Sequence, residues 1–301
     1  MRAWALCLAM ACSSIASWAG DIVYGGVSYE MTDGSTDSKG RLKVKVLSGQ
    51  NLSGDINIPA TFSDEYYTYI VTGMDCNALF FDNATSLTVD NSSYTVTLPQ
   101  SFCGYCTDLK SVSFSGAVSK IGSYAFKGCT ELTSVSFGDV GDLGECVFRI
   151  CEKLETVTFG AGSTFTTMDE AFTGCLKLGT ITIPASVTKI SNSFFACTNI
   201  NTVTCMATTP PVCSSSFTAA MLDMATLIVP EGSESSYKTA DTWRDFGTVK
   251  TTTGIANVTA ADKATETARF DINGARLSSP KAGINIVKMS DGTVKKICVA
   301  K

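Results

Sequence analysis

The stretch Ala125–Phe137, "AFKGCTELTSVSF", sets a spacing that the chain then repeats. Phe126 is followed three residues on by Cys129, three further by Leu132, three further by Val135 and two further by Phe137. "VFRICEKLETVTF" (Val147–Phe159) and "AFTGCLKLGTITI" (Ala171–Ile183) place Phe148 and Phe172, Cys151 and Cys175, and the apolar residues behind them at the same intervals. Looser copies flank these, with Cys106, Leu109, Val112 and Phe114 before and Cys197, Ile200, Val203 and Cys205 after. Successive cysteines stand 23, 22, 24 and 22 residues apart. A period of that size predicts a solenoid, because one copy cannot bury its own apolar side chains and must stack on its neighbours. Around Val135, Val157 and Ile181 apolar and hydroxyl residues alternate with period two, so each copy contributes a short strand to a parallel sheet, with Phe126, Phe148 and Phe172 on the returning side.

Cys103-Gly104-Tyr105-Cys106 has the spacing of a redox dithiol or of half a zinc site. Within the repeat, however, Cys106 shares one rung with Cys129, Cys151, Cys175 and Cys197, where a small buried side chain is the simpler reading. Cys103 is the extra member, and the wider gap from Phe102 to Cys106 predicts a bulge there. A thiol-disulfide oxidoreductase using Cys103 and Cys106 stands as the enzymatic alternative, without the βαβ surroundings of such enzymes. The chain has no histidine among its 301 residues, which excludes Ser-His-Asp and Cys-His catalysis and histidine metal sites. No catalytic residue, metal or cofactor is expected. Asp139, Asp142 and Glu145 share one loop, "GDVGDLGE", whose spacing fits no calcium loop and reads as a solvated turn.

The formal charge of −5, or −6 once Arg2 is removed with a leader, repels phosphate and argues against a nucleic-acid partner. The start, "MRAWALCLAMACSSIASWAG", reads as a signal peptide cleaved after Ala19, with a lipoprotein acylated at Cys12 as the weaker alternative. The mature chain then carries 11 cysteines (13 less Cys7 and Cys12), an odd number, so at least one is unpaired within a monomer. Export permits disulfides between adjacent rungs, and the sequence leaves open whether any form. No later apolar run is long enough to span a membrane.

These repeats, and "IGSYAFKGCTELTSVSF" in particular, resemble the BspA-like leucine-rich repeats of secreted and surface proteins, common in Bacteroidetes. "GDINIPATF" with "YIVTGMDCNAL" (Gly54–Leu79) resembles that family's entry segment, and "ATTPPVCSSSF" (Ala207–Phe217) with "TLIVPEGSESSYKTADTWRDF" (Thr226–Phe246) its closing one. The resemblance implies a mainly β, right-handed leucine-rich-repeat solenoid with parallel strands, and a non-catalytic role in adhesion or binding. "NATSLTVDNSSYTVTLP" (Asn83–Pro99) departs from the spacing, which leaves the first coil undefined. The expected organisation is a signal peptide over 1–19, an N-terminal β cap over 20–70, a solenoid with its closing cap over 71–250, and a linker with a C-terminal β module over 251–301. Asn273-Gly274 and Asp291-Gly292 predict two hairpins in that module. The module resembles the C-terminal β domains of Bacteroidetes secreted proteins, some of them sorting signals, and a cap over the last coil is the plainer alternative. "DGSTDSKG" (Asp33–Gly40) is expected as a hairpin loop of the N-terminal cap. The three tyrosines of "SDEYYTYI" (Ser63–Ile70) are expected in an entry strand, with an aromatic contact patch as the alternative. Tyr237, Ala240 and Trp243 recur at intervals of three and predict a short capping helix with Trp243 in the core.

The strand positions facing away from the core all carry hydroxyls: Ser111 and Ser113, Ser134 and Ser136, Thr156 and Thr158, Thr180 and Thr182, Thr202 and Thr204. Stacked, they form two columns on the exposed sheet face that repeat proteins commonly use for ligands. An extracellular protein or glycan is the partner this neutral strip would take. Ser and Thr are equally at home on any exposed strand, and a passive envelope component without a specific ligand fits the same residues.

Overall fold

The computed structural model describes residues 22–47, 50–76, 79–252, 266–271, 276–277, 279, 283–289 and 294–299. The expected signal peptide, most of the linker and the turns at Asn273-Gly274 and Asp291-Gly292 lie outside them. The chain divides into two units, residues 1–252 and 253–301.

The first unit is a parallel β-solenoid of about nine turns. Each repeat supplies one strand of the pattern that "SVSF" announces: Ser111–Phe114, Ser134–Phe137 and Thr156–Thr158 lie in register, Val112 beside Val135 beside Val157. The alternation decides burial. Val112 and Val135 are buried while the serines between them face outward. On the N-terminal side this sheet continues through Phe80–Val89 to Asn51–Ile58, so the parallel ladder begins at Asn51, inside the stretch expected as cap. On the C-terminal side Thr180–Ile183, Thr202–Cys205, Thr226–Val229 and Thr248–Thr251 form a second parallel run. The returning side carries shorter parallel strands, Val96–Leu98, Val118–Ile121 and Val140–Leu143, then Thr167–Asp169, Lys189–Ser191 and Val212–Ser214. Both ladders break at the same coil, the one whose cysteine spacing is 24. Its loop between Thr158 and Thr167 is held by Asp139, whose Oδ1 accepts the Gly162 N–H at 2.8 Å. A Cβ on Gly160 would stand 2.2 Å from that carboxylate, so glycine is what lets the loop close on Asp139.

The core is a set of columns. Parallel strands repeat every 4.7–4.9 Å or so, which brings identical side chains of successive coils into stacking range. Phe126, Phe148, Phe172, Phe194 and Phe217 stack with centroids 5.6, 5.3, 5.8 and 5.2 Å apart. Burying each ring contributes about 2–3 kcal/mol. The turn on either side of this column uses left-handed backbone two residues before and two after the phenylalanine, as at Tyr124 (φ 62°) and Gly128 (φ 73°) around Phe126, and at Glu170 (φ 47°) and Gly174 (φ 79°) around Phe172.

That turn signature identifies Cys103. Ser101 (φ 56°) and Tyr105 (φ 63°) flank it at the same distances, and its N–H bonds to Ala125 O just as that of Phe126 bonds to Val147 O. Cys103 therefore stands in the main-chain position of the phenylalanine, and the bulge expected there is absent. Cys103-x-x-Cys106 is the ordinary Phe-x-x-Cys of the repeat with cysteine in the first place, while Phe102 reaches the ring column from one residue earlier, 6.1 Å from Phe126.

The N-terminal end is closed by a mixed five-stranded sheet in the order Ile22–Tyr24, Val27–Thr36, Leu42–Val46, Thr68–Met74, Thr61–Ser63. Its hairpin between Thr36 and Leu42 is tied by Asp37, whose Oδ1 accepts the N–H groups of Lys39 and Arg41 at 2.9 Å each. At the other end Trp243 is fully buried and donates Nε1–H to Pro211 O at 2.7 Å, and Tyr237 donates its hydroxyl to Ala207 O at 2.7 Å. The single helix expected from Tyr237 to Trp243 is instead two pieces, Glu234–Tyr237 and a 3-10 turn Trp243–Asp245. Each ring bonds a different carbonyl, and Thr242 between them adopts φ 69°, which a continuous helix cannot contain.

The second unit is an antiparallel sheet in the order Arg276–Leu277, Glu266–Asp271, Gly283–Met289, Val294–Val299.

Candidate binding surface

The outward positions of the two longer parallel sheets form two columns, in register within each sheet. The first runs Asp55, Ser86, Ser111, Ser134, Thr156 and, past the ladder break, Thr180, Thr202, Thr226, Thr248. The second runs Asn57, Thr88, Ser113, Ser136, Thr158 and then Thr182, Thr204, Ile228, Lys250. Ser136, Thr156, Thr158, Thr180 and Thr182 are exposed, and Ser111, Ser113, Ser134, Thr202 and Thr204 are half-buried. The ten hydroxyls expected from the sequence thus occupy the middle of both columns. Their ends, Asp55, Asn57, Ser86, Thr88, Thr226, Ile228, Thr248 and Lys250, were not anticipated. Their signal is the same alternation, hidden because the entry and closing segments lack the Phe-x-x-Cys mark. At the head of the first column Thr85 and Ser86 donate to Asp55 Oδ1 at 2.7 and 2.8 Å, and these bonds hold the carboxyl below its usual range.

The cysteines do something else. Cys129, Cys151, Cys175 and Cys197 are fully buried, and each directs its thiol at a carbonyl one coil back: Cys103 O at 3.1 Å, Phe126 O at 3.1 Å, Phe148 O at 3.2 Å and Phe172 O at 3.0 Å. Cys106 follows the same rule toward Phe81 O at 3.7 Å but is only half-buried. A weak S–H donor suits this position, because the carbonyl lies among buried apolar side chains. Cys76, Cys103, Cys129, Cys146, Cys151, Cys175, Cys197, Cys205 and Cys213 are free thiols. Burial raises Cys103 and Cys175 well above the usual thiol range and pushes Cys151 up to about 12. A nucleophilic or redox cysteine needs a lowered value and access. Cys103 is 1% exposed and has neither. With native protein at pH 8, a thiol reagent such as DTNB is expected to leave Cys103 unmodified until the chain unfolds, and insulin reduction is expected at the buffer rate. Rapid modification of Cys103, lost in Cys103→Ser together with turnover, would restore the oxidoreductase reading.

The remaining candidates disperse. Asp139 anchors the Gly160–Gly162 loop, and Glu145 accepts the Tyr124 hydroxyl at 3.1 Å. Among the described residues no group of three or more His, Cys, Asp or Glu side chains is arranged to hold a metal ion. Of the entry tyrosines, Tyr69 is buried and donates to Asp64 Oδ2 at 2.7 Å, while Tyr66 is exposed. Among the described residues no helix is long and apolar enough to cross a membrane.

The chain is similar to several solved structures and to one family model. A leucine rich cell surface protein of Faecalibacterium prausnitzii A2-165 is 24% identical with a TM-score of 0.36, over 64% of this chain and 56% of that one. The pneumococcal vaccine antigen PcpA is 17% identical with a TM-score of 0.37, over 71% of this chain and 65% of that one. A leucine-rich repeat protein of Bacteroides ovatus ATCC 8483 is 19% identical with a TM-score of 0.35, over 77% of this chain and 76% of that one. The chain spans less than two-thirds of the length of the first two. Among curated proteins none matches. Residues 81–227 match the model of the BspA type leucine rich repeat region in 6 copies, as many as the coils that begin at Phe81, Cys103, Phe126, Phe148, Phe172 and Phe194. Over that stretch the repeats of the solenoid match leucine-rich repeats of the BspA type.

Proposed function

We propose that the protein is an exported, non-catalytic binding protein that presents the outward face of its two longer parallel sheets to an extracellular protein or glycan. The observation that carries this reading is the pair of columns, in register within each sheet, that pass through Thr156 and Thr158 on one side of the ladder break and Thr180 and Thr182 on the other, all four with exposed side chains. Hydroxyls at fixed spacing offer donors and acceptors without charge, which suits an extended or multivalent contact more than a single tight anchor. Export follows in this reading from cleavage near Ala19, and the unit over 253–301 serves sorting or anchoring.

The test is a pull-down from mucosal extract with the mature chain and with a variant carrying Thr156→Glu, Thr158→Glu, Thr180→Glu and Thr182→Glu. All four positions are exposed, so the variant is expected to fold, and capture of specific partners is expected to fall at least about tenfold as four carboxylates are forced into the contact. Equal capture by both proteins would remove the sheet face from consideration.

A further inference from the structure

In the first of the six coils the segment that leads from the phenylalanine position to the strand is three residues short, and the shortfall opens a notch. Phe81 is the counterpart of Cys103: each accepts a thiol from the next coil, Cys106 in one case and Cys129 in the other, and each is followed two residues on by left-handed backbone, Asn83 (φ 53°) and Tyr105 (φ 63°). From Cys103 to Val112, as from Phe126 to Val135, is nine residues; from Phe81 to Leu87, which pairs with Val112, is six. The ladder shows where the three are missing. Thr85 O accepts the Lys110 N–H and Lys110 O accepts the Thr133 N–H, so Thr85, Lys110 and Thr133 correspond. Between Asn83 and Thr85 the corner that holds Cys106 and Leu109 in the next coil has no counterpart. The flank of Cys106-Thr107-Asp108, covered by a preceding coil everywhere else in the repeat, faces open space. This accounts for the half-burial of Cys106 where its four counterparts are sealed.

Two adjoining depressions of about 400 and 230 Å³ occupy this place, and both are walled by Thr107 and Asp108. At one rim stands Tyr105, 65% exposed, its ring laid against Gly128: a Cβ there would be 2.6 Å from Tyr105 Cδ1. The Lys127 ammonium, 5.6 Å from the ring centroid, helps fix it. On the other side lie Thr85, Lys110 and Glu131, and Glu131 is paired with Lys153 at 2.7 Å. Asp55, Asp108 and Glu131 against Lys110, Lys127 and Lys153 sum to zero charge, so the notch has no excess cation for phosphate, sulfate or another anion. It offers an immobilised aromatic ring, an exposed carboxylate and flanking hydroxyls.

We infer that this notch binds a neutral oligosaccharide. The electron-rich face of Tyr105 takes the C–H face of a pyranose, whose hydrogens carry the complementary partial charge. The Asp108 carboxylate accepts from two sugar hydroxyls, and Thr107 and Lys110 donate to the ring and glycosidic oxygens. The site is separate from the hydroxyl columns and does not depend on them.

Titration calorimetry of the full mature chain with cellohexaose, laminarihexaose, maltohexaose and chitohexaose, and with sialyllactose and a heparin hexasaccharide as acidic probes, tests the inference. At least one neutral hexasaccharide is expected to bind more tightly than either acidic probe. Tyr105→Ala and Asp108→Asn are each expected to weaken it about tenfold or more, and the fourfold Glu variant of the sheet face is expected to leave it unchanged. Both notch residues are exposed, and a thermal melt matching the parent shows that each variant folds. Absence of binding by all four neutral probes, stronger binding of an acidic one, or unchanged affinity in Tyr105→Ala overturns the notch. Loss of binding in the sheet-face variant alone would move the oligosaccharide to the sheet and overturn the notch while leaving the proposed binding face standing.

Discussion

Replacing Phe148 with alanine is expected to lower the stability of the repeat unit by about 3–5 kcal/mol in urea or guanidinium unfolding. The ring is fully buried and stacks on Phe126 at 5.6 Å and on Phe172 at 5.3 Å. It is an inner plate of a column that no other side chain can fill, because the parallel ladder holds the coils at a fixed rise. Collapse around the cavity would require two coils to approach more closely than their backbone hydrogen bonds permit, so the cost belongs at the upper end of the range for such truncations. The effect should also be positional. Phe159, which is only partly buried and lies beside Phe137 at 6.2 Å, should cost clearly less when truncated. A loss below about 1 kcal/mol for Phe148→Ala would mean that the column is not what holds the coils together.

Alkaline solution is expected to unfold the protein through its thiols. Cys151 is pushed up to about 12 from an ordinary 9.0 by burial, and Cys103 and Cys129 are raised chiefly by the same cause. The sign is fixed by proton counting. Above pH 9 the unfolded chain sheds these protons while the folded chain retains them, so the unfolded state gains and stability falls as pH rises toward the folded values. Below pH 9 both states hold the proton and the stabilisation is complete. Each such thiol contributes a slope of about 1.4 kcal/mol per pH unit within that window, or about 2 kcal/mol between pH 8 and 10.5. Three thiols together remove a large part of a normal domain's 5–15 kcal/mol or so. Denaturant unfolding under reducing conditions at the two pH values measures this directly. Cys151→Ala should be less stable at pH 8 yet lose less on going to pH 10.5, by one thiol's share. Stability that is flat or rising from pH 8 to 10.5 would show that these side chains reach water.

Four kinds of residue show how much was legible in the sequence. The Phe-x-x-Cys-x-x-Leu spacing contains the fold, because side chains recurring every 22 to 24 residues can only bury themselves by stacking, and the period-two run after each leucine can only be a strand. The outward hydroxyls follow from the same alternation. Cys103 shows the limit: its neighbours suggest a bulge and a dithiol, and only its carbonyl partner and the flanking left-handed residues reveal that it stands in for phenylalanine. The capping helix fails for a similar reason, since Tyr237 and Trp243 are drawn to carbonyls of two different residues, Ala207 and Pro211, that no local periodicity announces.

Sequence by itself determined the repeat, its strands, the inward set of Phe, Cys and Leu, and the absence of histidine chemistry, since all of these are properties of spacing and composition. Tertiary structure decided how far the sheet extends past the marked copies, which carbonyl each thiol serves, and where a missing corner leaves a notch beside Tyr105 and Asp108. The physical reason is that spacing along the chain specifies which residues share a face, whereas a cavity arises between coils and depends on what the neighbouring coil lacks.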